Sequence, residues 1–258
     1  MRFVPFETDF TELKAEDLAV LREVAEGWYV EYKREMIDEK ALAKSLSAFA
    51  NHFGGWLFLG IGESADGQQR ACAFPGIAAG AVAPALVRIR SAAATKVSPA
   101  PYFEIRVLDG PAPTIGLPEG HSIIVVRVPQ GSDTPYVHAS GRIYRRIADR
   151  SDPKEETDRA VLDLLWDRRR RQRERLERRI LRDLPRSEAE GIVTFLQLHL
   201  LPDPLGQAGH RSSISFRDFA ELMKDSRAPG VALPFERCFT SATGLVARQV
   251  GSNDPRRH

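Results

Sequence analysis

Between residues 11 and 26, Leu13, Leu18, Leu21 and Val24 recur at roughly helical intervals, and Gly27 can stop that helix because it enters left-handed dihedrals at little cost. A short extended piece, WYVEYK, follows. Over residues 36–53, Leu42, Leu46, Phe49, Ala50 and Phe53 make one helical stripe, closed by Gly54 and Gly55. WLFLGI, residues 56–61, reads as a buried strand before the turn-prone ESADG. Val82, Leu86 and Ile89 predict an Ala-rich helix over residues 76–96, with Pro84 in a first turn or at a kink and Pro99 and Pro101 beyond its end. Residues 102–108, 122–128 and 141–147 are β-branched and aromatic runs between Pro and Gly clusters, hence strands. The predicted class is α/β in the mixed α+β sense, a sheet flanked by helices without strict alternation.

Asp152 as N-cap, Pro153 at the first helical position and Glu155 and Glu156 in the first turn predict a long charged helix, running to Asp183 before Pro185. After it come IVTFLQLHLL, a Pro/Gly-rich connector at 202–209, an amphipathic helix at 216–223 and two strands within 235–250. The expected division is a nucleic-acid-binding domain over 1–151, an arginine-rich connecting helix over 152–185 and a small module over 186–258 with no assigned role. The chain runs out in GSNDPRRH without a cap, as a piece of a longer protein would.

Composition narrows the classes. With 258 residues, 43% hydrophobic and 28% charged, the chain can bury one generous core or two modest ones and is no disordered tail. Thirty-seven basic side chains against thirty-five acidic ones give +2, so any case for a polyanionic partner rests on local clustering. Cys72 and Cys238 form no CxxC pair, which argues against structural zinc and against a secreted disulfide framework; a reducing cytoplasm is expected. The start lacks an apolar signal segment, and no run approaches the ~18 apolar residues of a membrane span.

Gly60, Gly62 and Gly67 follow a strand, yet neither GxGxxG nor GxxxxGK[ST] is present, and GxSxG and HExxH are absent too. The informative stretch is EGWYVEYK. Residues two apart on a strand share a face, so Glu31 and Lys33 project together. Such a pair suits phosphodiester hydrolysis, the carboxylate holding a divalent cation and the ammonium offsetting charge that builds on phosphate. Glu26 joins them only if the chain bends at Gly27, and Glu63 does if its strand neighbours that of Glu31. The alternative is three solvated glutamates near strand ends.

From Asp167 to Arg182 nine arginines face three acids, whereas residues 1–50 hold seven basic and eleven acidic side chains. Arg168, Arg169, Arg170 and Arg171 head this run; guanidinium forks suit phosphate whatever the base sequence. The competing account is a solvated helix laced by pairs such as Asp167 with Arg171, Arg173 with Glu177 and Glu174 with Arg178. In GRIYRRI, alternation sends Arg142, Tyr144 and Arg146 to one face and Ile143, Arg145 and Ile147 to the other. Arg145, between two isoleucines, is then the core-facing guanidinium that must find a carboxylate or a phosphate.

The order EGWYVEYK, ALAKSLSAFANHFGGWLFLGIGES, PGI, YFEIRV and SIIVVRVPQGSDTPYVHASGRIYRRIADR resembles the AlbA-like domain of the Schlafen family, over about residues 20–150. The resemblance implies a mixed α/β domain that binds nucleic acid. In the members that cleave tRNA and rRNA it implies a site of three acids, two from an ExxxxE[FY]K segment and one after the strand that follows GG. These fall on Glu26, Glu31 and Glu63, with Mg2+ or Mn2+ as cofactor and Lys33 beside them. The third position is more usually Asp; here it is Glu63, with Asp66 nearby as a substitute. Lys33, Asn51, Gly54, Gly55, Pro135, Tyr144 and Arg145 also match the family pattern, Asn51 and the glycines reading as a helix C-cap.

The resemblance implies a cytoplasmic, metal-dependent endoribonuclease acting on structured RNA such as tRNA, in stress or phage defence. Glu26, Glu31 and Glu63 would be its metal ligands, and Lys33 would complete the catalytic set. Arg145, Arg146 and the arginine helix would grip RNA in preference to DNA. The family's nuclease core joins two such lobes; one is present here, so a homodimer is expected. A non-catalytic DNA- or RNA-binding or transcription-regulating module is the rival, and an ATP-binding regulator the third reading.

Overall fold

The computed structural model describes residues 3–64, 69–147, 150–180, 217–218, 220–221, 237–241 and 244–248. A 3-10 helix, Glu16–Glu23, comes first, where the leucine spacing predicted a longer helix. Leu18 and Leu21, three apart, are both fully buried, the repeat that a three-residue turn puts on one side. Strand β1 (Val30–Lys33) leads to helix α1 (Glu39–Asn51), whose N-cap Asp38 accepts from the Ala41 N–H at 2.8 Å. Then come β2 (Gly54–Leu59), β3 (Gly62–Glu63), β4 (Ala71–Ala73), β5 (Ile77–Ala78) and helix α2 (Ala79–Lys96), which holds Pro84 inside it. The chain continues through β6 (Val97–Ser98), β7 (Glu104–Asp109), β8 (His121–Pro129), β9 (Val137–His138), β10 (Tyr144–Ile147) and β11 (Arg150–Glu155) to helix α3 (Arg159–Ile180).

The main sheet has the order β1-β2-β8-β5, with β7 on the other side of β8. Only β1 and β2 run parallel; β8 is antiparallel to β2, β5 and β7. Alternation sorts the side chains of this sheet into two cores. Val30, Tyr32, Trp56, Phe58, Ile123 and Val125 pack with the N-terminal segment and the 3-10 helix, while Leu57, Leu59, Ile124, Val126 and Val128 pack under α1 and α2. Gly54 sits at φ +79°, and a Cβ on it would come within 2.7 Å of the Val128 carbonyl, so the tight passage from α1 into β2 needs glycine.

Asp152 does not cap the charged helix: residues 150–155 pair with β10 as an antiparallel ribbon, and Asp152 instead bonds Lys44 at 2.7 Å. The helix starts at Arg159, and Asp158 takes the capping role by accepting from the Ala160 N–H at 2.8 Å.

The chain forms two compact units, Met1–Gly206 and Gln207–His258. In the second, β12 (Arg237–Ser241) and β13 (Gly244–Arg248) make an antiparallel hairpin, where two strands were expected. The IVTFLQLHLL run, the connector after it and Asp66 lie outside the described residues. Among the described residues no helix is long and apolar enough to cross a membrane.

Candidate nucleic-acid interface

Glu31 and Lys33 do share a face of β1, the face that α1 covers, and their charged groups are 3.2 Å apart. Glu31 is 2% exposed. Its Oε1 also accepts from the Ser45 hydroxyl of α1 at 2.9 Å, and its Oε2 accepts from Arg146 Nη1 at 2.8 Å. Arg146 is the largest fully buried side chain of the described residues. Its Nε and Nη2 donate to the Gly27 carbonyl at 2.9 and 2.7 Å, Nη2 donates to the Val30 carbonyl at 3.0 Å, and the guanidinium lies 5.0 Å from the Phe49 ring centroid. A charge buried this deeply persists only where carboxylate and carbonyl oxygens surround it.

That same guanidinium holds the bend at Gly27. The Gly27 N–H donates to the Val30 carbonyl at 3.1 Å, and the turn brings Glu26 back alongside β1, where Oε1 accepts from the Tyr32 N–H. The other carboxylate oxygen, Oε2, is buried and has no hydrogen-bond partner among the described residues. Burial pushes the Glu26 carboxyl up from 4.5 to about 7; the Tyr32 N–H and Lys33 oppose the rise, and Glu63 and Glu31 add to it. Glu63, in β3, is exposed.

On α3 the arginines divide into two kinds. Arg168 is half-buried and donates to the carbonyls of Asn51 and His52 at 3.0 and 3.2 Å, finishing the C-terminal end of α1. Arg169 pairs with Asp133 at 3.5 Å, Arg170 with Asp167 at 2.9 Å and Arg171 with Asp167 at 3.5 Å, all five side chains at least 38% exposed. Of the expected helix pairs, Asp167 with Arg171 and Arg173 with Glu177 form; Arg178 bonds the Glu174 carbonyl oxygen instead of its carboxylate. Between α3 and the loop after β8 runs a groove of about 430 Å³ whose wall includes Gln130, Ser132, Arg168, Arg171 and Arg175.

The family model described as Schlafen, AlbA_2 matches residues 26–155, from the Glu26 bend to the end of β11. The chain belongs to this Schlafen family. The class of function that goes with it is nucleic-acid related. No curated protein matches the chain. Among solved structures, the DIP2311 protein from Corynebacterium diphtheriae is similar at 18% identity and a TM-score of 0.34, over 55% of this chain and 24% of that one.

In this Schlafen domain the residues predicted for the site separate. Glu26, Glu31 and Lys33 come together around the Gly27 bend, with Glu63 near enough for its charge to act on Glu26. Among the described residues no three His, Cys, Asp or Glu side chains gather as a cation needs, and both Glu31 oxygens are engaged by Arg146, Ser45 and Lys33. Among the described residues the one buried side-chain oxygen without a hydrogen-bond partner is Glu26 Oε2. Arg145 is not the core-facing arginine of β10. It is 29% exposed and pairs with Glu156 at 2.6 Å, while Arg146 turns inward and has no surface to offer a phosphate. Parity had separated the two correctly but attached the core to the isoleucine face. The ribbon packs against α1, and the face it turns there is that of Tyr144 and Arg146.

Asn51 is the residue whose part was underestimated. Beyond ending α1, its amide donates to the Tyr136 and Tyr144 carbonyls at 2.8 and 3.0 Å and accepts from the Tyr136 N–H at 2.7 Å, tying helix, loop and ribbon together. Ser45 was missed; a lone hydroxyl among Leu42, Leu46 and Phe49 on a buried helix stripe was the available signal.

Proposed function

We propose that the chain is a nucleic-acid-binding module whose phosphate contact is the arginine-lined groove beside α3. The observation that carries this is the placement of Arg171 and Arg175. They stand one helical turn apart on the groove wall, both exposed; among the described residues Asp167 is the acid paired with Arg171, and none pairs with Arg175. Guanidinium forks in a cleft attract a phosphate backbone irrespective of sequence. Affinity for a fluorescein-labelled RNA should fall steeply between about 50 and 200 mM salt. Arg171→Ala combined with Arg175→Ala should weaken binding about tenfold and reduce the logarithmic salt slope by about 2. Unchanged affinity and slope in the double variant would remove the groove from the interface. The preference for RNA, a homodimeric assembly and a cytoplasmic location are finer parts of this reading and rest on the resemblance and on cysteine usage.

A second reading, cation-dependent endoribonuclease activity on structured RNA such as tRNA, is favoured by the unpartnered Glu26 oxygen and by a carboxyl that titrates near neutrality. Incubation of tRNA with Mn2+ and either wild type or Glu26→Gln tests it. Wild type should cleave, and the variant should be slower by about a hundredfold or more. Equal cleavage by both, or by neither, leaves the binding reading alone. Glu31→Ala is a poor control, because it also strips the buried Arg146 of its carboxylate.

A further inference from the structure

Trp28 and Phe53 are large apolar side chains left 42% exposed each, and they touch, with ring centroids 6.0 Å apart. Around them the Tyr29 ring stacks on Phe53 at 5.8 Å and His52 lies 3.9 Å from it. The contacts of Trp28 with Tyr29, His52 and Phe53 are all edgewise, at interplanar angles of 77°, 79° and 63°, so none of these rings lies parallel to the indole. This cluster adjoins the cationic groove. The His52 carbonyl accepts from Gln130 Nε2 at 2.8 Å and from Arg168 Nη1 at 3.2 Å, and both of those residues line the groove. His52 itself is neutral near pH 7: burial first, then the charges of Arg145, Arg168 and Arg146, push it down to about 4.

Exposed aromatic faces beside an arginine-lined groove are the arrangement that single-stranded nucleic acids use, bases stacking on the rings while phosphates follow the cations. A duplex keeps its bases stacked on one another and has no use for Trp28. We infer that the partner of this surface is an unpaired nucleotide segment, a base stacking on Trp28 beside Phe53 and the adjoining phosphates held by Arg171 and Arg175. The inference rests on the groove reading above and adds the class of strand.

Fluorescence anisotropy with a labelled single-stranded RNA of about 12 nucleotides and with the duplex of the same sequence tests it in the full chain. Trp28→Leu, which keeps an apolar side chain, should weaken single-strand binding about tenfold and leave duplex binding unchanged, and Trp28→Phe should restore most of the loss. Phe53→Leu should act in the same direction. Equal effects on both probes, or none, would overturn the stacking surface; if Arg171→Ala with Arg175→Ala still weakened binding in that case, the groove would stand without it. Failure of wild type to bind either probe would overturn both.

Discussion

Replacing Arg146 by methionine is expected to destabilise the domain by about 3–5 kcal/mol, a large share of the ~5–15 kcal/mol that holds a typical domain together. The substitution removes donors from the Gly27 and Val30 carbonyls and leaves the Glu31 carboxylate, 2% exposed, facing Lys33 and Ser45 without its main counter-charge. Arg146→Lys keeps the charge but cannot serve Glu31, Gly27 and Val30 at once, since an ammonium lacks the planar fork, so it should recover only part of the loss. Glu31→Leu together with Arg146→Met should cost less than the sum of the two single changes, because no buried charge is then left alone. Urea denaturation of the four variants measures this. A cost below ~1 kcal/mol for Arg146→Met would show that the cluster is not what holds the Gly27 bend.

The second large effect is on the pH profile of stability. Glu26 binds its proton more tightly folded than unfolded, about 7 against 4.5, so its contribution is full below pH 4.5 and is lost as pH rises through 7. His52 has the opposite sign. Its folded value of about 4 lies below 6.5, so its contribution is full above pH 6.5 and is lost as pH falls towards 4. Each displacement corresponds to at most ~3 kcal/mol, and between pH 4.5 and 6.5 the two slopes oppose each other. Glu26→Gln should therefore be more stable than wild type by ~2–3 kcal/mol at pH 8 and should show a steeper loss on acidification. His52→Phe should leave the Glu26 slope exposed, with stability falling from pH 4.5 to 7. Denaturant midpoints across this range decide the matter; a Glu26→Gln curve parallel to wild type at every pH would sink it.

Much of this was legible in the order of residues. Glu31 and Lys33 share a face because strand side chains alternate, and the bend at Gly27 that returns Glu26 to β1 was the condition stated for Glu26 to join them. The arginine run predicted a cationic helix, and α3 provides one. Less legible was which arginines would be spent. Arg168 finishes α1 and Arg146 binds Glu31, so two of the six proposed phosphate contacts serve the fold. No spacing rule separates Arg168 from Arg171 on one helix; only the position of the α1 terminus does. The cap at Asp158 rather than Asp152 has a similar cause, since both residues carry a capping side chain and the pairing of β10 with β11 chose between them.

By itself the chain determined most of the helices and the longer strands, which side chains alternate to a common face and where positive charge gathers, because these follow from local dihedral preference and from periods of two and 3.6 residues. Tertiary structure decided which charges are buried. A guanidinium 115 positions along the chain from Glu31 can enter the core only if carboxylate and carbonyl oxygens converge on it from separate segments. That convergence depends on distances between segments, which no local pattern encodes.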